Sequence, residues 1–323
     1  MLEVLMDDKR GTIWNISDIV ADITWKTSRI GKPGTLDLTL IKNSVWQDSK
    51  FAFNNGDIIR FRKDNQNVFY GYIFSINSGR DENVKLLCYD QIRYLTGKAM
   101  YSFANKTASE VLRKIAGDYQ LTLGDVDDTG YKIPTMLEDN VKLLDIICKA
   151  LDYTLINGYG NFVLFDDFGS LSLRNVKNLR VPFWIGEESL MYDYSAKRSI
   201  DSDTYNKIKL YRDNKETGMR DIFVAQRSDT IAQWGLLLLY QSVDDKMNDA
   251  QIMEMQDQLL LLRNRESKTL KVDAIGDLRI RAGSYVSIVI HEMGVNQPYL
   301  VDECQHKFDG AQHIMSLDLK VVD

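Results

Sequence analysis

Asp302, Cys304 and His306 stand at alternate positions, and His313 opens the next apolar run. A strand and its neighbour would bring a carboxylate, a thiol and two imidazoles to one place, the donor set of a tetrahedral metal site. The competing reading is the inner face of a sheet, with Cys304 as a small apolar filler and the imidazoles as hydrogen-bonded core groups. The spacing matches no standard zinc pattern, so the sequence predicts no metal ligands. Three carboxylate pairs, Asp166-Asp167, Glu187-Glu188 and Asp244-Asp245, raise glycoside hydrolysis. Neighbours on a strand or loop point apart, whereas that chemistry needs two carboxyls facing each other across a cleft, so solvated turns are expected.

No Gly-x-Ser-x-Gly, Walker loop or HExxH occurs, and Gly158-Tyr-Gly160 reads as a hairpin turn. The tryptophans, Trp14, Trp25, Trp46, Trp184 and Trp234, would make a carbohydrate platform if clustered; spread along the chain, they read as core and interface anchors. Cys88, Cys148 and Cys304 lie far apart inside apolar elements and read as buried thiols, neither disulfides nor ligands. The expectation is a chain with no catalytic residue, no cofactor and no metal.

The elements around these residues are mostly strands. From Gly56, the runs Gly-Asp-Ile-Ile-Arg-Phe, Val-Phe-Tyr-Gly-Tyr-Ile-Phe-Ser-Ile and Val-Lys-Leu-Leu-Cys-Tyr-Asp-Gln-Ile-Arg-Tyr-Leu are separated by polar turns and predict an antiparallel meander. The same order returns from Gly283, with Gly56 matching Gly283, Phe69 matching Tyr299 and Val84 matching Ile314. Two copies of one small β-domain are expected. Before the first meander, two exposed-looking strands are expected around residues 12–16 and 21–25, and Thr35–Ile41 alternates strictly, with Leu36, Leu38 and Leu40 on one face. About six strands in that region suffice to close or nearly close a barrel or sandwich.

Between the copies the texture changes. Thr107-Ala-Ser-Glu110 is a capping box ahead of an apolar stripe, predicting a helix that ends near Gly117. A second helix is expected over Val141–Leu151, then strands at 153–157, 161–165 and 171–173, a compact α+β module packed on its flanks. Strands follow near 205–211 and 221–225, then a helical turn at 229–235, an apolar strand at 236–240 and a helix over about 248–265. The four leucines Leu259–Leu262 at its end predict enclosure on more than one side.

A chain of 323 residues suggests two or three domains. Net charge −6 and a pI near 5.3 carry no footprint for wrapping nucleic acid. Residues 1–11 carry charges where a signal peptide needs an apolar core, and no apolar run nears the roughly 20 residues of a membrane span, so a soluble protein made in the bacterial cytoplasm is expected.

The set Asn55-Gly-Asp-Ile-Ile-Arg-Phe, Phe69-Tyr-Gly-Tyr-Ile, Tyr89-Asp-Gln-Ile-Arg-Tyr-Leu95, Tyr205-Asn-Lys-Ile, Thr230-Ile-Ala-Gln-Trp-Gly235, Gly283-Ser-Tyr-Val and His313-Ile-Met-Ser-Leu resembles the XkdQ-type family of phage tail proteins. These are baseplate hub proteins of contractile tails and tail-like bacteriocins, and the resemblance covers essentially the whole chain. It implies a mainly β chain (α+β overall) with two tail-tube-like antiparallel β-barrels: residues 1–97, then an inserted α+β module at 98–178, then 179–323 with a helical insertion at about 228–266. It further implies a homotrimeric ring adapting the sixfold tail tube to the trimeric central spike and nucleating tube growth. The partners implied are the spike protein, the tail tube protein, the tape-measure protein and other baseplate proteins such as a LysM-containing tail protein, with no membrane and no sequence-specific nucleic acid. The location implied is the baseplate of a virion or tail-like particle. The inserted module is expected to dock another baseplate protein, and the ring's bore to be acidic or neutral. The alternatives are a cell-wall carbohydrate-binding module and a hub-associated wall hydrolase.

Overall fold

A computed structural model of the chain describes residues 1–42, 47–48, 50–80, 82–214 and 218–321. Trp46 lies outside the described residues. The first strands are β1 (Leu2–Asp7), β2 (Ile13–Asn15), β3 (Val20–Ser28), β4 (Thr35–Ile41), β5 (Ile58–Lys63), β6 (Gln66–Ser78) and β7 (Asn83–Tyr89). They are neighbours in the order β3-β4-β7-β6-β5-β1-β2. Strict alternation explains how β4 settles: Leu36, Leu38 and Leu40 are buried on one face against Ile23, Trp25, Ile59 and Phe61. The region around residues 21–25 is thus core, not the exposed strand that its polar neighbours suggest.

The next stretch contains β8 (Lys98–Lys106), α1 (Ala108–Asp118), β9 (Leu123–Val126), β10 (Ile133–Lys142), α2 (Leu143–Ile156), β11 (Phe162–Asp166) and β12 (Leu171–Asn175). The capping box forms as expected: the Glu110 amide donates to Thr107 Oγ1 at 3.2 Å and the Thr107 amide to Glu110 Oε2 at 2.9 Å. Residues 153–156 continue α2, so the expected strand there is absent. Thr154 is fully buried and its hydroxyl donates to the Ala150 carbonyl at 3.0 Å, so packing and helix propagation override its β-branched preference. Consequently Gly158-Tyr-Gly160 connects a helix to a strand and is no hairpin turn. Val163, Val176 and Leu300 form a shared cluster, so this region packs against the C-terminal strands.

The chain continues through β13 (Arg180–Gly186), β14 (Met191–Ser199), β15 (Lys207–Asn214), β16 (Met219–Gln226), α3 (Ser228–Trp234), β17 (Leu238–Ser242) and α4 (Asp249–Arg263). It ends with β18 (Ser267–Ile275), β19 (Tyr285–Ile290), β20 (Val295–Asp309) and β21 (Gln312–Val321). Two compact units result. One holds residues 1–155, 159–195 and 270–323; the other holds 156–158 and 196–269.

In the second unit β16-β15-β17 form a small sheet with α4 on one face. Ile208 and Leu210 are fully buried against Ile252 and Leu259, and Gln256 Nε2 donates to the Ile208 carbonyl at 3.1 Å. Because α4 docks by the single stripe Ile252, Gln256 and Leu259, the leucine run is not enclosed. Leu261 is 74% exposed, whereas Leu259 is 6% exposed.

In the first unit, the strand order around the C-terminal meander is β14-β18-β21-β20, with β19 on β20 and β13 on β19. Position by position this matches β3-β4-β7-β6-β5-β1. Local details repeat as well. Gly56 and Gly283 have φ of 92° and 90°. The Gly56 amide donates to Ile73 O at 2.7 Å and Ile73 returns a bond to Asp57 O at 2.9 Å; Gly283, Val301 and Ser284 do the same at 2.8 and 2.9 Å. A bulge follows each, between Ile73 and Ser75 against β7 and between Val301 and Glu303 against β21. Ile73 is therefore equivalent to Val301, Gly71 to Tyr299 and Val84 to Met315. The match read from sequence is two residues off at Phe69, which keeps every side chain on its face, and one residue off at Val84.

The two sets differ where they end. β1 pairs antiparallel with β5, whereas β13 pairs parallel with β19. Beyond its bulge β20 also pairs with β3, from Glu303↔Ser28 to Phe308↔Ile23, joining both sets into one 13-stranded sheet.

Candidate functional site

The seam between β20 and β3 gathers three of the four candidate metal ligands and one tryptophan. Cys304, His306 and Phe308 point inward from β20, and Trp25 of β3 stacks on His306 with ring centroids 5.1 Å apart. Asp302 leaves this face: the bulge at Val301 breaks the alternation, so its carboxylate turns to Arg29 at 2.9 Å and Lys320 at 2.8 Å. Three of the four candidate ligands thus converge and the fourth does not.

Hydrogen bonding specifies their protonation. The Lys63 ammonium, 3.2 Å from His313 Nδ1, can only donate, so that nitrogen accepts. His313 Nε2 then carries the proton and donates to His306 Nδ1 at 2.9 Å, leaving His306 Nε2–H to donate to the Ile280 carbonyl at 2.8 Å. Burial pushes His306 down to about 4 and His313 down to about 3. Cys304 Sγ lies 3.2 Å from His306 Nε2, and burial pushes its thiol up. A neutral, fully committed chain of this kind orders a core and has no lone pair aimed at an ion. Among the described residues no group of three His, Cys, Asp or Glu side chains is placed to hold a metal ion.

A second buried cluster was not foreseen. Asp90 caps the turn Gln91–Thr96, accepting from the Ile92 amide at 3.0 Å and from the Gly34 amide at 2.8 Å. Burial, then the charge of Asp166, holds its carboxyl well above the usual range. Asp166 itself is buried; its Oδ1 accepts from the Gly169 amide at 2.6 Å while Oδ2 has no partner, and burial pushes it up to about 6. Arg281 is half-buried beside them, its guanidinium 4.1 Å over the Phe165 ring and donating to the Asp166 carbonyl at 3.1 Å. The cluster ties three distant stretches of chain together. Asp166 is therefore no solvated turn, although Asp167, Glu187, Glu188, Asp244 and Asp245 are exposed.

The described tryptophans are scattered: Trp14 meets Phe51 edge-on, Trp25 is in the seam, Trp184 is 40% exposed and Trp234 is half-buried. Cys88, Cys148 and Cys304 are free thiols. No helix of the described residues is long and apolar enough to cross a membrane.

The first unit thus holds two similar sets of strands, with His306, His313, Asp90 and Asp166 buried among them. The model of the YqbQ-like family matches residues 23–320. The chain belongs to the YqbQ-like family. An uncharacterised Bacillus subtilis protein, YqbQ, is 31% identical over 279 residues, 84% of this chain and 83% of that one. The XkdQ protein of the B. subtilis phage-like element PBSX is 28% identical over 309 residues, 94% of this chain and 93% of that one. The fold is shared with a 43 kDa tail protein of prophage MuSo2 from Shewanella oneidensis, at a TM-score of 0.72 and 12% identity over 98% of both chains. The XkdQ-type resemblance read from the motifs thus holds over 94% of the chain, and the fold is mainly β.

Proposed function

We propose that this YqbQ-like chain is a structural protein of a phage tail or tail-like particle, and more narrowly the baseplate hub that joins tube to spike. The observation that carries the reading is the repeated strand order, β3-β4-β7-β6-β5-β1 and β14-β18-β21-β20-β19-β13, in one chain. Three such chains present six similar modules about one axis, so a ring can meet a sixfold tube on one side and a threefold spike on the other. We keep 1–97 and 179–323 as the tube-like domains and 98–178 as a module that docks a further baseplate protein. The partners proposed are a central spike protein, the tail tube protein, the tape-measure protein and a LysM-containing tail protein; the location is the baseplate. The chain acts mechanically and carries out no catalysis.

Native mass measurement of the purified chain tests this. A homotrimer is expected, and a stable dimer or hexamer contradicts the hub. Deleting residues 98–178 would uncover Arg281 and Leu300, so the docking role is better tested by charge reversal at the exposed Arg113 and Lys114 of α1. Trimers should persist while incorporation into tails falls.

A further inference from the structure

We propose that successive copies of this chain join by strand addition, with β14 of one copy pairing along the free edge of β6, Ser75–Ser78, in the next. This rests on the ring reading above and names the surface that closes the ring. The template lies within the chain. In the C-terminal set β20 runs past its bulge and offers residues 303–308 to β3. Its counterpart β6 also runs past its bulge, to Ser78, and pairs there with β7. Among the described strands nothing pairs with Ser75–Ser78 on the other side, because β5 reaches only as far as Tyr72. The strand equivalent to β3 is β14, which ends the sheet with β18 as its single neighbour. Each set thus carries one donor edge and one acceptor edge, and one donor–acceptor pair is already used inside the chain. The remaining pair is complementary between copies and, being heterologous, propagates around a ring. Open edges are otherwise a route to uncontrolled association. The edges of β2 and β13 are not alternatives of equal standing, since neither corresponds to a strand engaged at the internal seam.

The two seams would differ in chemistry. Phe74 occupies the position of Asp302 and Ser75 that of Glu303, so the ion pairs with Arg29 and Lys32 have no equivalent between copies. Phe74 instead packs against Tyr89 and Tyr94, at 5.4 and 5.8 Å. Cysteine cross-linking reads the geometry directly, since residues directly opposite across two strands are within disulfide reach. In a Cys148→Ser background, Asn77→Cys is combined in turn with Ser195→Cys, Ala196→Cys, Lys197→Cys and Arg198→Cys. Lys26→Cys with Gln305→Cys, opposed inside the chain, serves as the reference. Oxidation of the purified trimer should give a covalent ladder ending at trimer, strong at one or two alternate β14 positions and absent with Asn77→Cys alone. A trimer in which the reference link forms but no β14 position cross-links overturns the strand pairing and leaves the hub standing. A chain that stays monomeric at its highest soluble concentration contradicts both.

Discussion

His306 and His313 make the chain's stability depend on pH in a calculable direction. Both are held below the roughly 6.5 of an unfolded histidine, so the unfolded chain binds more protons on acidification. Their contribution is complete above pH 6.5 and is lost as pH falls toward about 4 and about 3, with a total on the order of 3 kcal/mol for His306. Asp166 runs the other way: raised to about 6, it protonates first in the folded chain, so a burden present above pH 6 is relieved between there and the usual carboxylate range. In denaturant titrations from pH 7 to 4, His306→Gln should flatten the acid loss. Asp166→Asn should stabilise by about 1–3 kcal/mol at pH 7 and steepen that loss. An Asp166→Asn variant less stable at pH 7 would mean that the charge attraction of Arg281 outweighs the unpartnered Oδ2. Little of this was legible in the sequence. Asp90, Asp166 and Arg281 carry no local signal, because their burial depends on three stretches converging.

At the scale of elements, the sequence was most readable where alternation was strict. The period-two faces of β4 and the capping box of α1 predicted their environments because each is settled within a few residues. The bulge at Val301 was not legible, and it alone removes Asp302 from the face that Cys304 and His306 share. The strands β8 and β10 were missed because they pair mainly with each other and bury few side chains; in β8, Phe103 alone is buried. The two equivalent glycines give a sharp comparison. Gly56→Ala meets open space and carries only the cost of positive φ, about 1 kcal/mol. Gly283→Ala carries the same cost and also drives Cβ to 2.8 Å from Val163, so thermal unfolding should show roughly twice the loss or more. Gly276→Ala should be worse than Gly56→Ala for a related reason, as its Cβ would lie 2.2 Å from the His313 ring. Equal losses at all three would mean that the sheet gives way more easily than its packing implies.

At the scale of the whole molecule, one chain supplies two similar sets of strands and an internal seam showing how such sets join. On the proposed hub reading, a bore lined by these sets would have to let a tape-measure protein pass, so its wall should be neutral or acidic and purified trimer should not retain DNA; tight, salt-sensitive retention would point to a basic wall. The net charge of −6 agrees with the expectation without locating the charges. The central claim is that this YqbQ-like chain is the trimeric hub beneath the tube, and its stoichiometry in the particle tests that most directly. Quantitative mass spectrometry of purified tails, with tube and spike proteins as internal references, should find this chain equimolar with the trimeric spike and at half the copy number of one sixfold tube ring. A copy number equal to that of a full ring or a multiple of it would contradict the account, as would its absence from purified tails.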